Sequence, residues 1–519
     1  MTDAIAELPD NVDELKAIIR DYEKKLLWAE EKYRAMELRY FGQKSEHYRA
    51  EDDNQNRLFD EAEEYATESP PPLVETMQIP AHERAKRGRK QKTTATERIE
   101  VVHDLTDDEQ RCPCCGEKRP CIGEDRTAEY DLVPAHVVER VHIIKKYGPC
   151  SCEAFAASGA RAVVAAAGPA KIIPGSDFTN RTTAFFMTAK YADAIPFYRM
   201  EKMLAREGLA VSRAALCNQA VAVGRAVGDL VEAMDRDIRC SPVVLMDETR
   251  VKVLNDGRGP PGRMSYMWLS RGYRDRRPIH LFRYHPTRSG EFAAKLLEDY
   301  RGYLQTDGYS GYSRIGQSSG IVHVGCFAQI RRKFHEAWET AGKTGTAVEA
   351  LEIIRRIYAV ESELRSRLES GSIDAQAFLS KRTGRVEAVV AEFRAWLGSA
   401  SRSVAPQSAL GKAVAYALGQ VDKAARFVEH ELLTPDTNAA ENAIRPFVVG
   451  RKNWLFSGNE LGAHASAGIF SLIETAKANG HEPFRYLSHL FEHLPLRWSI
   501  EEREALLPYR LLPSEYAEN

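Results

Sequence analysis

Residues 242–249 read Pro-Val-Val-Leu-Met-Asp-Glu-Thr, an apolar run that stops abruptly at two acids. A run of this length and composition predicts a buried strand that ends at Met246. An acid at the carboxyl end of a buried strand is costly unless another group pairs with it or a metal ion uses it. Asp247 is therefore the first candidate functional residue. The alternative for it is a simple cap on the strand end.

More strands and a second acid follow along the chain. Residues 266–269 and 279–282 predict two short strands, and the polar turns between them suggest an antiparallel meander. Residues 302–306 predict another strand, which again ends in an acid, Asp307. The Gly308 that follows lets backbone or ligand approach closely. The alternative for Asp307 is an ordinary turn residue before a glycine.

A third acid, Glu441, lies much later in the chain. Asn438, three residues before it, makes a capping-box pattern that predicts a helix start, and capping alone is the alternative role for Glu441. Two Asp at neighbouring strand ends and a Glu on a helix make an oxygen-rich site, which suits Mg²⁺ or Mn²⁺. Two such ions about 4 Å apart activate the attacking oxygen and stabilise the leaving oxygen in phosphoryl displacement. The three acids therefore predict metal-dependent phosphoryl transfer.

Basic residues accompany the acids. Three open a predicted helix after the strand over 322–324, and three follow Glu441 closely. A phosphate backbone requires such local positive charge, so we predict DNA contacts at these six positions. They are Arg331, Arg332, Lys333, Arg445, Arg451 and Lys452. Trp454 beside them has two interpretations, stacking on an unpaired base or packing in the core.

The first 92 residues combine a heptad pattern with a charged linker. Apolar residues alternate in steps of four and three from Leu8 to Tyr40, which predicts a coiled coil between copies of the chain. The alternative is an amphipathic helix packed on its own protein. An acidic and Pro-rich stretch follows, and then a basic one. There Arg87 and Arg89 flank a glycine and suit a DNA minor groove, unless the stretch is only solvated linker.

Six of the nine Cys lie between residues 112 and 152. Cys112 and Cys115 form a C-x-x-C pair followed by glycine, and Cys150 with Cys152 supplies a second pair. Four thiolates in this arrangement predict a structural Zn²⁺ site. The alternative is a set of free thiols.

Helical patterns surround the predicted strands. Two apolar-periodic stretches over 182–190 and 199–207 precede Gly208, and Ser212 then caps another helix. Such an arrangement is compatible with a helix-turn-helix that reads DNA, although most such pairs merely pack together. Residues 337–433 are also helical and rich in Arg and Glu, which predicts a helical insertion between the second and third acids.

The length and net charge of the whole chain exclude few classes of protein. A length of 519 residues predicts three or more structural units. A net charge of −2 excludes a uniformly basic nucleic-acid coat, but it does not exclude local basic strips. No run of about 20 apolar residues predicts a membrane span, and the acidic start lacks the order of a signal peptide. We therefore expect a cytoplasmic protein.

Several short motifs occur in order along the whole chain. They are Phe41–Glu46, Cys112–Gly116, Lys190–Asp193, Arg206–Gly208, Asp247–Thr249, Asp307–Tyr309, Asn438–Glu441, Gly450–Phe456 and Leu472–Lys477. With these motifs the chain resembles bacterial transposases of the insertion-sequence-66 family, of Asp-Asp-Glu type. The likeness covers nearly the full length.

The resemblance implies a multidomain α/β fold around a ribonuclease H-like mixed-sheet catalytic core. Asp247, Asp307 and Glu441 would be its metal ligands. The implied chemistry is cleavage at the ends of an insertion sequence, followed by attack of the freed 3′ hydroxyl on target DNA without a covalent enzyme intermediate. The implied partners are double-stranded DNA at the element ends and the target, further copies of the chain and accessory transposition proteins. We would then expect the protein at the bacterial nucleoid.

We expect the following organisation along the chain. It comprises a coiled-coil helix over 1–50, an acidic then basic linker over 51–100, a zinc-binding module over 101–155, a helical DNA-binding region over 156–235, the first part of the ribonuclease H-like core over 236–340, a helical insertion over 341–433, the last part of the core over 434–480, and a C-terminal tail over 481–519.

Four places depart from the pattern of that family. Gln329 stands where a His is usual, Asn442 where an Arg follows the Glu, and Pro149 where a Cys is typical. Before the Glu motif, Asp436-Thr437-Asn438 stands where an acidic residue followed by two Asn is expected. These departures leave the three acids intact. They motivate one alternative function, a catalytically impaired DNA-binding remnant of a transposase. A further alternative is a metal-dependent phosphatase or nuclease that needs no element ends.

Overall fold

The computed structural model describes residues 11–41, 136–147, 164–258, 264–312, 315, 320–343 and 345–516. Apart from His136, they belong to a unit made of residues 1–49 and 137–519, and the fold described below is that of this unit. Among its described helices, none is both long enough and apolar enough to cross a membrane.

The N-terminal heptad forms one long helix, α1, over Val12–Phe41. Among the large seam side chains that the structure describes, Leu15 is half-buried. The others are solvent-exposed by 52% to 72%, and they are Val12, Ile19, Tyr22, Leu26, Tyr33 and Met36. The helix approaches the rest of the chain where Arg34 lies beside Gly342. Most of the described seam is thus exposed, and the helix also contacts the segment Phe327–Thr340 of its own chain.

The strands form a small pair and a larger mixed sheet. β1 (Lys146–Tyr147) and β2 (Val164–Ala165) pair antiparallel. The larger sheet contains β3 (Val243–Asn255), β4 (Met264–Arg274), β5 (Arg277–His285), β6 (Gly302–Gln305), β7 (Ile321–Val324) and β8 (Ser457–Asn459). Its order is β5-β4-β3-β6-β7, with β8 paired to the far end of β3. The first three strands form the predicted antiparallel meander, while β6 and β7 run parallel to β3.

The predicted end of the first strand at Met246 is wrong. β3 continues through Asp247 to Asn255, and Asp247 is paired with Leu269 of β4. Residues 243–246 are buried on both faces, which gives the continuous apolar run. Beyond them, buried Val251 and Val253 alternate with exposed neighbours, as in a strand covered on one face only. The apolar run therefore identified only the part of the strand that is buried on both faces.

Thirteen further α-helices are described. They are α2 (Asn180–Tyr191), α3 (Phe197–Arg206), α4 (Arg213–Ala226), α5 (Gly228–Arg239), α6 (Gly290–Leu296), α7 (Phe327–Thr340), α8 (Ala347–Glu369), α9 (Ala375–Ser403), α10 (Ala409–Ala425), α11 (Asn438–Trp454), α12 (Glu460–Ala478), α13 (Pro483–His493) and α14 (Ile500–Glu504).

The helices on either side of Gly208 follow the sequence pattern. Gly208 has a φ of 83°, which suits a glycine after the end of α3. The Ser212 side chain then accepts a hydrogen bond from the backbone of Ala215 and caps α4. α2 packs against α13, and α4 packs against α12. This helical region therefore shares its core with the C-terminal helices.

α12 covers the edge strand β5 with side chains spaced four residues apart. Ser471 accepts a hydrogen bond of 2.8 Å from the Phe282 amide, and Thr475 accepts one of 2.9 Å from the His280 amide. Thr475 also donates to the His280 carbonyl at 3.1 Å. Helix residues four positions apart are separated by about the same distance as strand residues two positions apart, so Ser471 and Thr475 meet alternate residues of β5. The helix satisfies the backbone of an edge that is otherwise open to pairing with another strand.

The helical insertion lies between β7 and the helix that carries Glu441. α9 packs on both α8 and α10, and α8 and α10 each also pack on α7. Phe334 of α7 contacts Phe393 and Trp396 of α9 edge-on, with ring centroids 6.1 and 5.6 Å away. The insertion is thus built onto the sheet domain through a continuous apolar contact.

Candidate active site

Asp247 and Asp307 lie side by side on neighbouring parallel strands. The pairing of β3 with β6 aligns Leu245 with Gln305, and each Asp lies two residues beyond this pair, Asp247 within β3 and Asp307 just after the end of β6. The Thr306 amide donates to the Val324 carbonyl at 3.2 Å, which extends the pairing of β6 with β7 by one residue. Adjacent strands lie about 4.8 Å apart, so the two Asp are neighbours, and the charge of Asp307 acts on Asp247.

Glu441 reaches this region on α11, which packs against β3. The helix begins at Asn438, as predicted, but its cap residue Thr437 makes no side-chain capping bond. Instead the Asp436 carboxylate accepts bonds of 3.0 Å from the amide and the side chain of Asn438. The predicted capping box is therefore wrong, and Glu441 has no capping role.

The electrostatics of Asp247 show that the acids influence one another. Burial is the largest cause of a raised pKa at Asp247, and the charges of Glu248, Glu441 and Asp307 add to it. Against one backbone hydrogen bond that lowers it, these causes together raise the pKa of Asp247 to about 7. Mid-strand placement excludes the role of a strand-end cap. Asp307 does have a turn role, since its carboxylate accepts a 3.0 Å bond from the Tyr309 amide. A second carboxylate oxygen remains on each Asp for another ligand.

A fourth acid, Glu248, lies beside Asp247 and is bonded to partners of its own. The Arg288 guanidinium donates to it at 2.6 Å, and the Tyr312 hydroxyl donates to its other oxygen. Arg288 in turn lies 3.7 Å from the ring centroid of Tyr309, whose hydroxyl donates to the Arg288 carbonyl at 2.8 Å. Sequence reasoning did not predict this cluster, although Tyr309 and Tyr312 follow Asp307 closely in the sequence. It joins the loop of Asp307 to the strand of Asp247.

The insertion also contributes a side chain to the acids. A Cβ on Gly308 would lie 2.2 Å from the Tyr416 hydroxyl of α10, so the glycine makes room for this tyrosine. Burial raises the pKa of Tyr416, and the Asp307 charge raises it as well. Sequence reasoning gave Tyr416 no role, because nothing local distinguishes it from a core residue of an amphipathic helix.

The predicted DNA-binding bases in the described part have different environments. Arg451 donates to the Thr249 hydroxyl at 3.1 Å and to the Arg250 carbonyl, so it ties α11 to β3. Lys333 pairs with Glu336 at 3.0 Å, and Arg332 is exposed on the same helix. Arg331 and Arg445 are half-buried on α7 and α11, and Lys452 is exposed near the end of α11.

Trp454 packs inside the protein. Its ring lies 6.1 Å from Phe470 and 6.4 Å from Tyr191, and the Lys190 ammonium lies 4.4 Å from its centroid. This arrangement favours the core-packing interpretation over base stacking. Burial lowers the pKa of Lys190 to about 8.

Six predicted site residues lie outside the described residues. They are Arg87, Arg89, Cys112, Cys115, Cys150 and Cys152. The free thiols of the described part are Cys217, Cys240 and Cys326.

The donor chemistry of the three acids fits a hard divalent cation. All three ligands would be carboxylates, and the raised pKa of Asp247 shows that their charges repel one another. Among the described residues, no three carboxylate, imidazole or thiol side chains are drawn together closely enough to hold a metal ion. In this structure the three acids are therefore not close enough together to hold a metal ion between them.

The fold and the site define an α/β protein with a cluster of carboxylates beside the central strands of a mixed sheet. The chain matches the family described as "Transposase IS66 family" over residues 175–465 and the "IS66 C-terminal element" over residues 471–509. These matches cover most of the chain, and the protein belongs to the IS66 transposase family. Membership in a transposase family implies action on DNA.

Relatives occur in Sinorhizobium fredii (strain NBRC 101917 / NGR234). "Uncharacterized protein y4qI" is 28% identical over 554 aligned positions, which cover 98% of either chain. "Uncharacterized protein y4jD" is 27% identical, over 79% of this chain and 80% of its own. The likeness to y4qI shows that the whole arrangement of segments, and not the sheet domain alone, recurs in a related protein.

Proposed function

We propose that this protein is a DNA transposase of Asp-Asp-Glu type, which cleaves insertion-sequence ends and joins the freed 3′ hydroxyl to target DNA. The observation that carries the proposal is the position of Asp247 and Asp307, which both lie two residues beyond the aligned pair Leu245 and Gln305 of adjacent strands, with the helix of Glu441 packed on the strand of Asp247. The strand order and directions support a ribonuclease H-like core. Family membership supports the substrate, DNA.

The chain's own residues have separate tasks in this proposal. Asp247, Asp307 and Glu441 would hold Mg²⁺ or Mn²⁺, which supplies charge that stabilises the attacking and leaving oxygens of a phosphodiester. Glu248 orients the strand of Asp247 through Arg288 and Tyr312. Arg332 and Lys452 are exposed and can meet phosphates, whereas Arg451 acts by joining α11 to β3.

The test is strand cleavage of a duplex that carries the element ends, with Mg²⁺ and purified protein. We expect Asp247→Asn, Asp307→Asn and Glu441→Gln each to lower the cleavage rate by about 10³-fold or more, because each removes an ionic metal ligand. The exposed Glu298→Gln is the matched control and should cleave normally. Cleavage that survives all three changes contradicts the assignment. Binding of end DNA by a wild-type protein that never cleaves it supports the alternative of an impaired remnant.

We also propose that α1 joins two copies of the chain. The exposed apolar seam supports this, since a seam of such period and exposure is typical of a coiled-coil interface. Ile19→Glu with Leu26→Glu should shift the protein to a smaller species in sedimentation, whereas Lys16→Glu outside the seam should not. An unchanged mass after the seam substitutions contradicts the interface.

The four cysteines Cys112, Cys115, Cys150 and Cys152 remain a proposed Zn²⁺ site, supported by their spacing alone. Metal analysis of purified protein should find one zinc per chain, and Cys112→Ser should remove it. A zinc content unaffected by that change contradicts the ligand set. Cytoplasmic location at the nucleoid, double-stranded DNA and accessory transposition proteins as partners, and DNA contact by Arg87 and Arg89 belong to the same proposal.

A further inference from the structure

The helical insertion holds a cluster of three charged side chains that the proposed chemistry does not use. Arg382 of α9 exposes none of its side chain, and its Nε donates to Glu361 of α8 at 2.9 Å. Arg365, one turn further along α8 and partly buried, donates to the same carboxylate at 2.9 Å. Two guanidinium groups thus share one carboxylate, which leaves an excess of one positive charge in the cluster.

That excess charge is satisfied by backbone carbonyls of one segment, residues 430–437, which we call the strap. Arg382 donates to the carbonyls of His430 at 3.0 Å and Leu433 at 2.5 Å. Arg365 donates to the carbonyls of Glu431 at 3.2 Å and Leu433 at 3.0 Å. The rigid fork of a guanidinium fixes the positions of several acceptors at once. The two Arg therefore hold the first half of the strap in one geometry.

The second half of the strap is tied to the sheet domain. Gln305 of β6 donates through Nε2 to the Thr434 carbonyl at 2.7 Å, and the Phe327 amide donates to the Pro435 carbonyl at 2.8 Å. Gln305 is two residues before Asp307. The strap ends at the residue before α11, on which Glu441 occupies the first turn. It therefore links the insertion, the strand of Asp307 and the helix of Glu441.

Stability alone does not explain a buried cluster of this kind. Replacing buried ion pairs by well-packed apolar residues is often neutral or stabilising, because desolvation costs as much as the charges gain. The cluster also lies among apolar rings, with the Arg382 guanidinium 4.9 Å from the centroid of Phe378 and 4.8 Å from that of Phe427. What these charges supply and apolar side chains do not is a fixed position for three carbonyls.

We infer that Arg382, with Arg365 and Glu361, is a positioning device for the third acid: the cluster fixes the strap, and the strap fixes the start of α11 and so the place of Glu441. The inference rests on the proposed function, in which Glu441 is a metal ligand. It gives the insertion a task in the active site beyond that of a spacer between the second and third acids.

The test compares Arg382→Met with the matched control Arg385→Met in the full chain. Arg385 is one turn along the same helix, pairs with Glu363 at 2.8 Å and does not reach the strap. Arg382→Met leaves Glu361 paired with Arg365, so we expect a folded protein. Its amides at 430–442 should exchange hydrogen about 10-fold faster or more, with unchanged affinity for end DNA. The kcat of cleavage should fall on the order of 10²-fold, as for other misplaced catalytic groups, and KM should not change.

Each outcome decides the question. Wild-type exchange in the strap, wild-type kcat, or equal effects of both variants overturns the inference. If Arg382→Met does not fold, Arg365→Gln decides instead, because that side chain is 27% exposed and its removal leaves no sealed cavity. A Glu441→Gln protein that cleaves normally contradicts the proposed function. The exchange measurement then still tests, without any activity, whether Arg382 orders the strap.

Discussion

Two regions of this protein bury charge in opposite ways. In the insertion, Arg382 and Glu361 expose 0% and 8% of their side chains and neutralise each other. At the sheet, Asp247 is half-buried among further acids, and burial followed by their charges raises its pKa to about 7. Buried charge costs free energy unless it is paired, so a site that leaves like charges together is built for a ligand. The paired cluster instead serves the geometry of the chain.

The largest expected effect tests the paired cluster. Glu361→Ala removes the one carboxylate that two guanidinium groups share, so the buried Arg382 and the partly buried Arg365 remain without it. We expect the free energy of unfolding to fall by about 3–5 kcal/mol, measured by urea denaturation. A loss below about 1 kcal/mol contradicts the view that this charge is effectively buried.

Glu248 combines features of both regions. It is paired with a base, as Glu361 is, but it lies next to Asp247, which has no basic partner among the described residues. Arg288→Met should lower the free energy of unfolding at pH 8 by about 2–3 kcal/mol, since the Glu248 side chain is only 2% exposed. Burial raises the pKa of Glu248 even with Arg288 present, so proton uptake should make the loss smaller at pH 5. The double variant with Glu248→Gln should recover part of the stability at pH 8. A loss that does not depend on pH contradicts this account.

At Asp247, where acids lie together without a basic partner in the described part of the chain, we expect a substitution to raise the free energy of unfolding rather than lower it. The pKa of Asp247 rises from 3.8 to about 7 on folding, so the metal-free folded protein binds this proton more tightly than the unfolded chain and loses stability as pH rises through that window. Asp247→Asn should therefore raise the free energy of unfolding in EDTA at pH 8 by about 2 kcal/mol, roughly half of the full linkage value. The gain should vanish near pH 4. If Asp247→Asn instead destabilises the protein at pH 8, the view that burial and neighbouring acids raise the pKa of Asp247 is wrong.

The smallest effect is expected at an exposed pair. Arg385 and Glu363 leave 45% and 49% of their side chains exposed, so solvent already screens both charges. Arg385→Met should leave the urea midpoint within experimental error and should not respond to pH between 5 and 8. A clear loss at this position would show that helix packing, rather than burial of charge, explains the effects in the insertion.

Local patterns predicted much of the sheet domain. The apolar run before Asp247, the meander after it and the helix start at Asn438 are all present. The length of β3 was wrong because a strand covered on both faces and then on one face changes its pattern midway. Arg451 was assigned to DNA from its charge, yet it bonds Thr249 of β3. Charge is visible in a sequence, whereas the partner that a charge finds depends on the fold.

The sequence by itself determined where apolar runs stop and where periodic segments lie. From these patterns it singled out the three acids as candidates, the helices between the second and third of them, and the heptad of α1. Only the tertiary structure decided which of the buried charges are paired, because Arg382 and the strap are about 50 residues apart and Glu248 and Arg288 are 40 apart. Contacts at such separations depend on how helices and strands pack, and no local spacing encodes them. The placement of Tyr416 against Gly308, more than 100 residues earlier in the chain, has the same origin.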